Sequence, residues 1–227
     1  MILILGAKGQ LGCQVCCELA KRKLSFVATD YDSLDITDRS RVSNIFSFFK
    51  PSAIINCAAY TNVNAAQNEA QNMARAINTY ALENICSVSD RLNISPYFVH
   101  ISTDYVFDGN KSPCEGGYIE SDPTHPLNFY GQTKRDGEVI LTKNYEKHYT
   151  IRTSWLFGIH GVNFVSKIAN EILQGNNISM VNDQVGSPTS SVSLASTVIK
   201  LLDRLLDTSQ ENPSYGIYHF SSSEATT

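Results

Sequence analysis

Short apolar runs alternate with longer amphipathic segments along this chain. The predicted strands are residues 1–5, 25–29, 53–57, 97–101, 150–153 and 216–220. The predicted helices are residues 10–21, 39–49, 70–92, 130–141 and 164–173. Residues 110–126, rich in Gly, Pro and Ser, are predicted to form a long loop. Because strands alternate with helices of about ten or more residues, the pattern predicts right-handed βαβ units and an α/β fold with a doubly wound parallel sheet.

A glycine-spaced turn joins the first predicted strand to the first helix. Gly6, Gly9 and Gly12 have the spacing G-x-x-G-x-x-G, which is looser than G-x-G-x-x-G. Such glycines permit a sharp turn, let the backbone approach a pyrophosphate, and allow a helix to pack closely on a strand. The N–H groups that begin the helix favour phosphate. We interpret the segment as the phosphate-binding turn of a Rossmann-like dinucleotide-binding domain; a glycine turn without a ligand is the alternative.

Two acidic positions extend this predicted site. Asp30 ends the second strand, at the distance from the glycines where a carboxylate holds the ribose hydroxyl groups. A carboxylate repels a 2′-phosphate, so Asp30 favours NAD over NADP, whereas Lys8 in the glycine turn would offset that preference. Asp35 precedes the second helix and is a candidate contact for an adenine ring. The sequence therefore leaves both NADPH and NADH open.

Composition narrows the possible functions. The chain has 227 residues, of which 42% are hydrophobic and 18% charged, as is typical of a globular protein with a core. Its formal net charge is −4 and no Lys/Arg cluster is present, so nucleic acid is not an expected partner. No apolar run is long enough to span a bilayer and no signal peptide is recognisable. We expect a cytoplasmic protein that acts on a small molecule and has no membrane partner.

The chain contains six cysteines: Cys13, Cys16, Cys17, Cys57, Cys86 and Cys114. Cys13 and Cys16 have C-x-x-C spacing, but they fall inside the first predicted helix. No second pair has the spacing of metal ligands. We interpret the thiols as small buried side chains on helix faces, with a redox or metal role as the alternative. We predict no metal site.

Two segments carry side chains suited to proton transfer. Ser102, Thr103 and Asp104 follow a predicted strand, and the carboxyl edge of an open α/β sheet is where ligands bind. Tyr130 and Lys134 are four residues apart, on one helix face. A neighbouring ammonium stabilises a phenolate, which predicts a lowered pKa for Tyr130. Tyr130 would protonate a carbonyl oxygen that Thr103 or Ser102 also binds, while nicotinamide delivers a hydride to the carbon.

Seven short sequence motifs are distributed along nearly the whole chain. They are G-x-x-G-Q-L-G from Gly6, D-I-T-D from Asp35, N-C-A-A-Y-T from Asn56, S-T-D-Y-V-F-D-G from Ser102, P-L-N-x-Y-G-x-x-K from Pro126, R-T-S-W from Arg152 and N-D-Q-x-G-x-P-T from Asn182. In this order they resemble the dTDP-4-dehydrorhamnose reductase family of extended short-chain dehydrogenases/reductases. Sibling sugar-nucleotide dehydratases place a Glu where Tyr105 stands, which favours reduction over dehydration.

The resemblance implies that NADPH or NADH reduces the 4-keto group of a dTDP-linked 6-deoxyhexose, in nucleotide-sugar and cell-surface polysaccharide biosynthesis. It implies catalytic roles for Thr103, Tyr130 and Lys134. Together with the glycine turn, it implies cofactor contacts from Gly6, Gly9, Gln10, Leu11, Gly12, Asp30, Asp35, Ile36, Cys57, Ala58, Ala59, Tyr60, Tyr130 and Lys134. It implies substrate contacts from Asp104, Tyr105, Trp155, Asp183, Gln184 and Thr189. A homodimer is also compatible with the resemblance.

The chain departs from the family pattern in two places. Asn64 and Gln67 belong to a segment in which family members carry acidic residues, and family members continue beyond Thr227. The expected organisation is therefore a dinucleotide-binding domain over residues 1–155 and a partial substrate-binding region over residues 156–227, interleaved with it, in a shortened or fragmentary chain. A non-catalytic regulatory or scaffold relative, or a sugar-nucleotide epimerase or dehydratase, is the alternative.

Overall fold

A computed structural model describes residues 1–111, 116–209, 211–222 and 224–226. Its strands are β1 (Ile2–Leu5), β2 (Phe26–Thr29), β3 (Ala53–Asn56), β4 (Tyr97–Thr103), β5 (His148–Thr153), β6 (Leu156–Phe157), β7 (Thr189–Ser190) and β8 (Gly216–His219). Its α-helices are α1 (Gln10–Lys21), α2 (Arg39–Phe49), α3 (Val63–Gln67), α4 (Gln71–Arg75), α5 (Ala81–Arg91), α6 (Phe129–Asn144), α7 (Phe164–Leu173) and α8 (Ser191–Leu206).

In these residues six strands form one sheet in the order β2-β1-β3-β4-β5-β8, and every neighbouring pair is parallel. Strands β6 and β7 form a second, two-stranded parallel sheet. The alternation of strands and helices therefore confirms the predicted doubly wound parallel sheet. The described part of residues 110–126 contains no helix or strand, in agreement with the predicted loop.

The main sheet separates two layers of apolar side chains. Successive residues of a strand point to opposite faces of the sheet. Ile4 packs on one face with Val15 of α1 and Val198 of α8. Leu5 packs on the other face with the layer that contains Phe46 of α2. Both faces of the sheet are therefore buried, which explains why β1 reads as a continuous apolar run.

Strands β2 and β3 lie on opposite sides of β1, although they follow it in the chain. The connections after β1 and β3 therefore diverge to different faces and leave a crevice at the carboxyl ends of these strands. Open α/β sheets bind ligands at such a switch point. The fold places the glycine turn at this crevice.

The predicted helix over residues 70–92 is interrupted. After α4 the chain forms a π-helix (Ala76–Tyr80) and then continues as α5. Within it, Asn78 accepts the N–H of Tyr60 at 2.8 Å and donates to the Tyr60 carbonyl at 3.0 Å. Its amide also donates to Thr133 Oγ1 at 3.0 Å. The π-helix is therefore the segment from which Asn78 binds the loop after β3. Single π-helical turns within α-helices are frequent at functional sites.

Four elements were not predicted from the sequence: α3, β6, β7 and α8. Helix α8 buries Leu194, Val198 and Leu202 against the layer that contains α1. Strand β8 pairs with β5 at the edge of the main sheet. Residues after 155 therefore contribute a helix and a strand to the layers of the main sheet. The division after residue 155 and the interleaving of the two regions stay predictions.

The cysteines do not share one environment. Cys86 is buried, whereas Cys17 is exposed on α1, so the prediction of a buried thiol is wrong for Cys17. The residue lies on the side of α1 that faces away from the sheet. Partly buried thiols belong to Cys13, Cys16 and Cys57. Cys114 lies outside the described residues.

Within the residues that the structure describes, no cluster of three or more His, Cys, Asp or Glu side chains has an arrangement that could hold a metal ion. The same residues contain no helix that combines the length and the apolar character needed to cross a membrane.

Candidate functional site

A first groove of about 350 Å³ lies at the carboxyl ends of β1, β2 and β3. We call it the glycine groove. Its lining residues are Gly6, Lys8, Gly9, Asp30, Tyr31, Leu34, Asp35, Ile36, Cys57, Ala58, Ala59 and Ile77. The groove therefore brings together residues that the sequence analysis assigned to a dinucleotide from three separate segments.

Close backbone contacts explain the glycines in this turn. Gly6 has a φ of +74°, and a Cβ there would lie 2.6 Å from the backbone nitrogen of Ala58. A Cβ on Gly12 would lie 2.1 Å from the Gly6 carbonyl oxygen. Gly9 precedes α1 and provides no side-chain cap for the N–H groups of its first turn. The turn thus combines an open backbone surface with helix N–H donors, which fits a pyrophosphate.

Asp30 is held by the backbone at the end of β2. Its carboxylate accepts the N–H of Lys8 at 2.8 Å and the N–H of Tyr31 at 2.9 Å. The ammonium of Lys8 pairs with Asp32 at 2.5 Å. Lys8 is therefore only partly available to offset the negative charge of Asp30, as the sequence analysis considered.

Six of the predicted cofactor residues do not line the glycine groove: Gln10, Leu11, Gly12, Tyr60, Tyr130 and Lys134. Leu11 and Gly12 are buried, and the Leu11 side chain belongs to the apolar layer of α1. Gln10 lies beside Gly161, and the backbone of Tyr60 is bound by Asn78. The backbone N–H groups of Gln10 and Leu11 begin α1 and could bind a phosphate. The Leu11 side chain packs in the core and does not take part.

Thr103 ends β4, and Tyr130 and Lys134 lie in the first two turns of α6. Asn128 begins that helix by accepting the N–H of Gly131 at 2.8 Å. A Cβ on Gly131 would lie 2.1 Å from the Tyr105 carbonyl oxygen, so α6 closely approaches the turn after β4. This approach brings the rings of Tyr105 and Tyr130 to a centroid separation of 5.8 Å.

The surroundings of Tyr130 do not produce the predicted lowering of its pKa. Burial raises the pKa of the Tyr130 phenol above its usual range, and a hydrogen bond with Thr103 opposes part of that rise. Lys134 does not offset it, because the Lys134 amine is bound elsewhere. Its Nζ donates to the Ile101 carbonyl at 2.8 Å and lies 3.4 Å from His100 Nε2.

Burial also changes Lys134. The side chain is 1% exposed, and burial lowers its pKa to about 8 although Glu138 and Cys57 act in the opposite direction. The lysine that the sequence analysis treated as a fixed positive charge is therefore close to losing its proton near neutral pH.

A second groove, of about 1080 Å³, opens beside the turn after β4. Of the predicted substrate residues, those that line it are Asp104, Tyr105, Trp155, Asp183 and Gln184. Thr189 does not line it. It is 1% exposed, pairs with Leu156 and donates to the Ser187 carbonyl at 3.2 Å. Thr189 is therefore buried behind residues that line the groove, and its assignment as a substrate contact stays a prediction.

Trp155 has a strained backbone at the edge of this second groove. Its φ is +42°, a left-handed conformation that is uncommon outside glycine. Gly186 lies so close to the indole that a Cβ there would be 2.3 Å from Trp155 Cε2. Ser154 Oγ also donates to the Ser187 carbonyl at 2.7 Å. The segment after residue 183 is thereby packed directly against the tryptophan.

Thr103, Tyr130 and Lys134 line neither groove but have neighbours in both. Cys57, which acts electrostatically on Lys134, lines the glycine groove. Tyr105, whose ring touches Tyr130, lines the second groove. The three predicted catalytic residues are thus connected to the dinucleotide side through Lys134 and to the substrate side through Tyr130.

Asp104 is an acidic group in direct contact with Thr103. Thr103 Oγ1 donates to its carboxylate at 3.0 Å. Burial raises the pKa of Asp104 to about 6, although hydrogen bonds from Thr103 and from backbone N–H groups favour the ionised form. A carboxyl group that changes its protonation state between pH 5 and 7 therefore lines the second groove.

Three residues of the site were not predicted from the sequence: Asn78, Glu138 and Arg152. Glu138 and Arg152 form a buried pair beneath it, and Asn78 fixes the loop after β3. Glu138 follows Lys134 by four residues on the same helix, and this spacing indicates that the two side chains are neighbours on one helix face. Asn78 is a polar residue in a helical stretch and gave no such signal, because its partner Tyr60 is distant in sequence.

The sequence of this chain is similar to a family model and to the sequences of known proteins. Residues 1–227 match the family model described as RmlD substrate binding domain. A dTDP-4-dehydrorhamnose reductase of Aggregatibacter actinomycetemcomitans is 39% identical over 220 residues, which cover 96% of this chain and 72% of that protein. A dTDP-4-keto-6-deoxy-D-glucose reductase of Streptomyces niveus is 36% identical over 202 residues, covering 88% of this chain and 68% of that protein.

A solved structure matches the fold of this chain over its whole length. The crystal structure of dTDP-4-dehydrorhamnose reductase from Bacillus anthracis in complex with NADP has a TM-score of 0.88 and 36% sequence identity. The match covers 100% of this chain and 75% of that chain.

Proposed function

Because this chain belongs to the dTDP-4-dehydrorhamnose reductase family, which the match over its whole length shows, we propose that it reduces the 4-keto group of a dTDP-linked 6-deoxyhexose. The observation that carries the proposal is the position of Thr103, Tyr130 and Lys134 between two grooves. One groove has the glycine turn and acidic end that suit a dinucleotide. The other is large and is lined by polar and aromatic side chains.

The residues of the glycine groove fit a nicotinamide dinucleotide. The backbone of Gly6 and Gly9 and the first turn of α1 would hold the pyrophosphate. Asp30 would accept hydrogen bonds from the adenosine ribose, and Asp35 and Ile36 would lie beside the adenine. Once bound, the reduced dinucleotide supplies a hydride for the carbonyl carbon. The relative from Bacillus anthracis binds NADP at a fold of the same kind.

The protein's own residues would supply the proton. Tyr130 is the acid that protonates the carbonyl oxygen, and the hydroxyl group of Thr103 binds the same oxygen. The high proton affinity that burial gives the Tyr130 phenol keeps it protonated before the reaction. Lys134, whose pKa burial lowers to about 8, would stabilise the phenolate that the proton transfer leaves behind only while its amine carries a proton and turns toward Tyr130. Reduction is balanced by one hydride to carbon and one proton to oxygen.

The second groove would hold the nucleotide sugar. Asp104 and Tyr105 lie at the end nearest Tyr130, where the keto sugar must be, and Trp155, Asp183 and Gln184 lie farther along. Neither the cytoplasmic location nor the homodimer enters this proposal; both stay predictions.

A steady-state assay tests the proposal. Purified protein is incubated with dTDP-4-keto-6-deoxyhexose and NADPH or NADH, and the reduced-nicotinamide absorbance is followed together with the product. We expect substrate-dependent oxidation with stoichiometric formation of the 4-hydroxy sugar. Product formed without net cofactor consumption would indicate an epimerase or dehydratase. Protein that binds the cofactor but never oxidises it in the presence of substrate would overturn the proposal.

A further inference from the structure

His100 is a buried side chain that the proposed chemistry leaves without a role. It belongs to β4 and is 1% exposed. Its Nδ1 lies 3.1 Å from the amide nitrogen of Asn56, and its Nε2 lies 3.4 Å from Nζ of Lys134. The imidazole therefore joins an amide of β3 to the lysine of the proposed site.

The orientation of Asn56 decides where His100 carries its proton. The Ala58 N–H donates to Asn56 Oδ1 at 3.1 Å, which identifies the oxygen side of the amide. The NH₂ group must then point at His100, so Nδ1 of the ring accepts a hydrogen bond. A neutral imidazole with an accepting Nδ1 carries its proton on Nε2.

The Nε2–H group points at the amine of Lys134. A neutral amine has one lone pair and two N–H groups; the lone pair can accept from His100, and one N–H can donate to Ile101. An ammonium has no lone pair, so its N–H would face the N–H of the ring. We propose that His100 is a positioning residue: Asn56 fixes its proton on Nε2, and this N–H stabilises the neutral form of Lys134.

The surroundings support this assignment. Among the described residues, the ionisable groups that face Lys134 are Glu138 on α6, the Cys57 thiol after β3 and His100 on β4. His148 on β5 acts on His100. Burial, with Lys134 and then His148, lowers the pKa of His100 well below its ordinary value, so the ring remains neutral. Burial lowers the pKa of Lys134 to about 8, in agreement with an accessible neutral amine.

The inference gives Lys134 a second role, which rests on the proposed reductase function. With its lone pair on the His100 N–H and one N–H on the Ile101 carbonyl, the neutral amine keeps a second N–H that neither contact uses. His100 would therefore help to set the pH at which Lys134 changes its charge.

NMR of the full chain tests the tautomer without any need for turnover. Long-range ¹H–¹⁵N spectra of protein labelled at histidine distinguish the protonated ring nitrogen from the other. We expect His100 to be protonated on Nε2. His148 is the internal reference, because its Nδ1 lies 2.6 Å from the Tyr145 carbonyl and must donate. Protonation of His100 on Nδ1 in the unaltered protein would overturn the inference, whether or not any variant folds.

The substitution Asn56→Asp reverses the arrangement. A carboxylate accepts from both Ala58 and His100, so the His100 proton moves to Nδ1 and Nε2 becomes an acceptor for an ammonium. We expect the alkaline limb of the kcat profile, and the titration of Lys134 in ¹⁵N-lysine spectra, to move upward by about one pH unit, a tenfold change in proton affinity.

The double variant Asn56→Asp with His100→Phe separates the ring from the new charge. Without the imidazole we expect most of the upward shift to disappear. An equal shift in the single and double variants would show that the carboxylate acts alone and would contradict the role of His100. An inactive protein with Nε2-protonated His100 and a titrating Lys134 would count against the reductase proposal and not against this contact.

Discussion

Glu138 and Arg152 form a salt bridge inside the protein, with Oε2 of the carboxylate 2.7 Å from Nη2 of the guanidinium. Their side chains are only 3% and 5% exposed. Ser102 also donates to the carboxylate at 2.5 Å. The pair therefore connects α6, which carries Tyr130 and Lys134, to the ends of β4 and β5.

Removal of one charge from this pair should destabilise the fold. In Glu138→Gln the guanidinium of Arg152 stays buried without a counter-ion, which costs about 3 kcal/mol of unfolding free energy. Urea denaturation measures the change. The control is Asp203→Asn, since Asp203 pairs with Arg22 at the surface, and it should cost less than about 1 kcal/mol. Equal effects of the two substitutions would show that the buried pair contributes little.

Tyr130→Phe should separate catalysis from binding. Loss of the phenolic proton donor should reduce kcat by roughly 10²- to 10⁴-fold, with a much smaller change in dinucleotide affinity. Turnover and fluorescence titration with NADPH provide the two measurements. Tyr80→Phe, at an exposed tyrosine, is the matched control. Undiminished turnover in Tyr130→Phe would remove Tyr130 from the mechanism, whereas an inactive parent protein with intact partner binding would favour the scaffold alternative.

Asp30→Asn should change the preference between the two dinucleotides. The Asp30 carboxylate faces the glycine groove and repels a 2′-phosphate, while Lys8 is partly neutralised by Asp32. Removal of the charge should raise the NADPH-to-NADH ratio of kcat/KM roughly tenfold, about 1.4 kcal/mol. Asp90→Asn, at an exposed position on α5, should leave the ratio unchanged. If the NADPH-to-NADH ratio of kcat/KM stayed constant in Asp30→Asn, the adenosine ribose would not be bound by Asp30.

Gly186→Ala should disturb the tryptophan of the second groove. The new Cβ would lie 2.3 Å from Trp155 Cε2, so the indole must move. We expect KM for the nucleotide sugar to rise roughly tenfold, with dinucleotide affinity unchanged. Gly175→Ala is the control, because its φ of +73° brings strain but no contact within 4 Å. If KM rose equally in both variants, general destabilisation and not the position of Trp155 would be responsible.

Asp104 should make stability depend on pH. Burial raises its pKa to about 6 from 3.8, so the folded protein binds a proton that the unfolded chain releases between these values. Stability therefore falls as the pH rises from about 4 to about 6, by on the order of 1–2 kcal/mol after solvent screening. Asp104→Asn should abolish this part of the slope in urea denaturation series at several pH values. A variant with the same slope as the unaltered protein would exclude Asp104 as its source.

Much of the architecture was determined by the sequence itself. The period of the apolar residues located the strands of the main sheet, apart from errors of a few residues at their ends, because burial on both faces requires continuous apolar runs. The glycines were informative for a similar reason: Gly6 and Gly12 stand where backbone atoms leave no room for a Cβ. Helix α8 was missed although its apolar spacing was present, so that omission was one of interpretation.

Only the tertiary structure decided the electrostatics of the site. The i,i+4 spacing placed Tyr130 and Lys134 on one face of α6, but it did not reveal that the Lys134 amine binds Ile101 and faces His100. Nor did it reveal that burial would raise the pKa of the phenol and lower that of the amine. Spacing along a helix fixes direction, whereas desolvation and hydrogen-bond partners come from strands distant in sequence, and these set the proton affinities on which the chemistry depends.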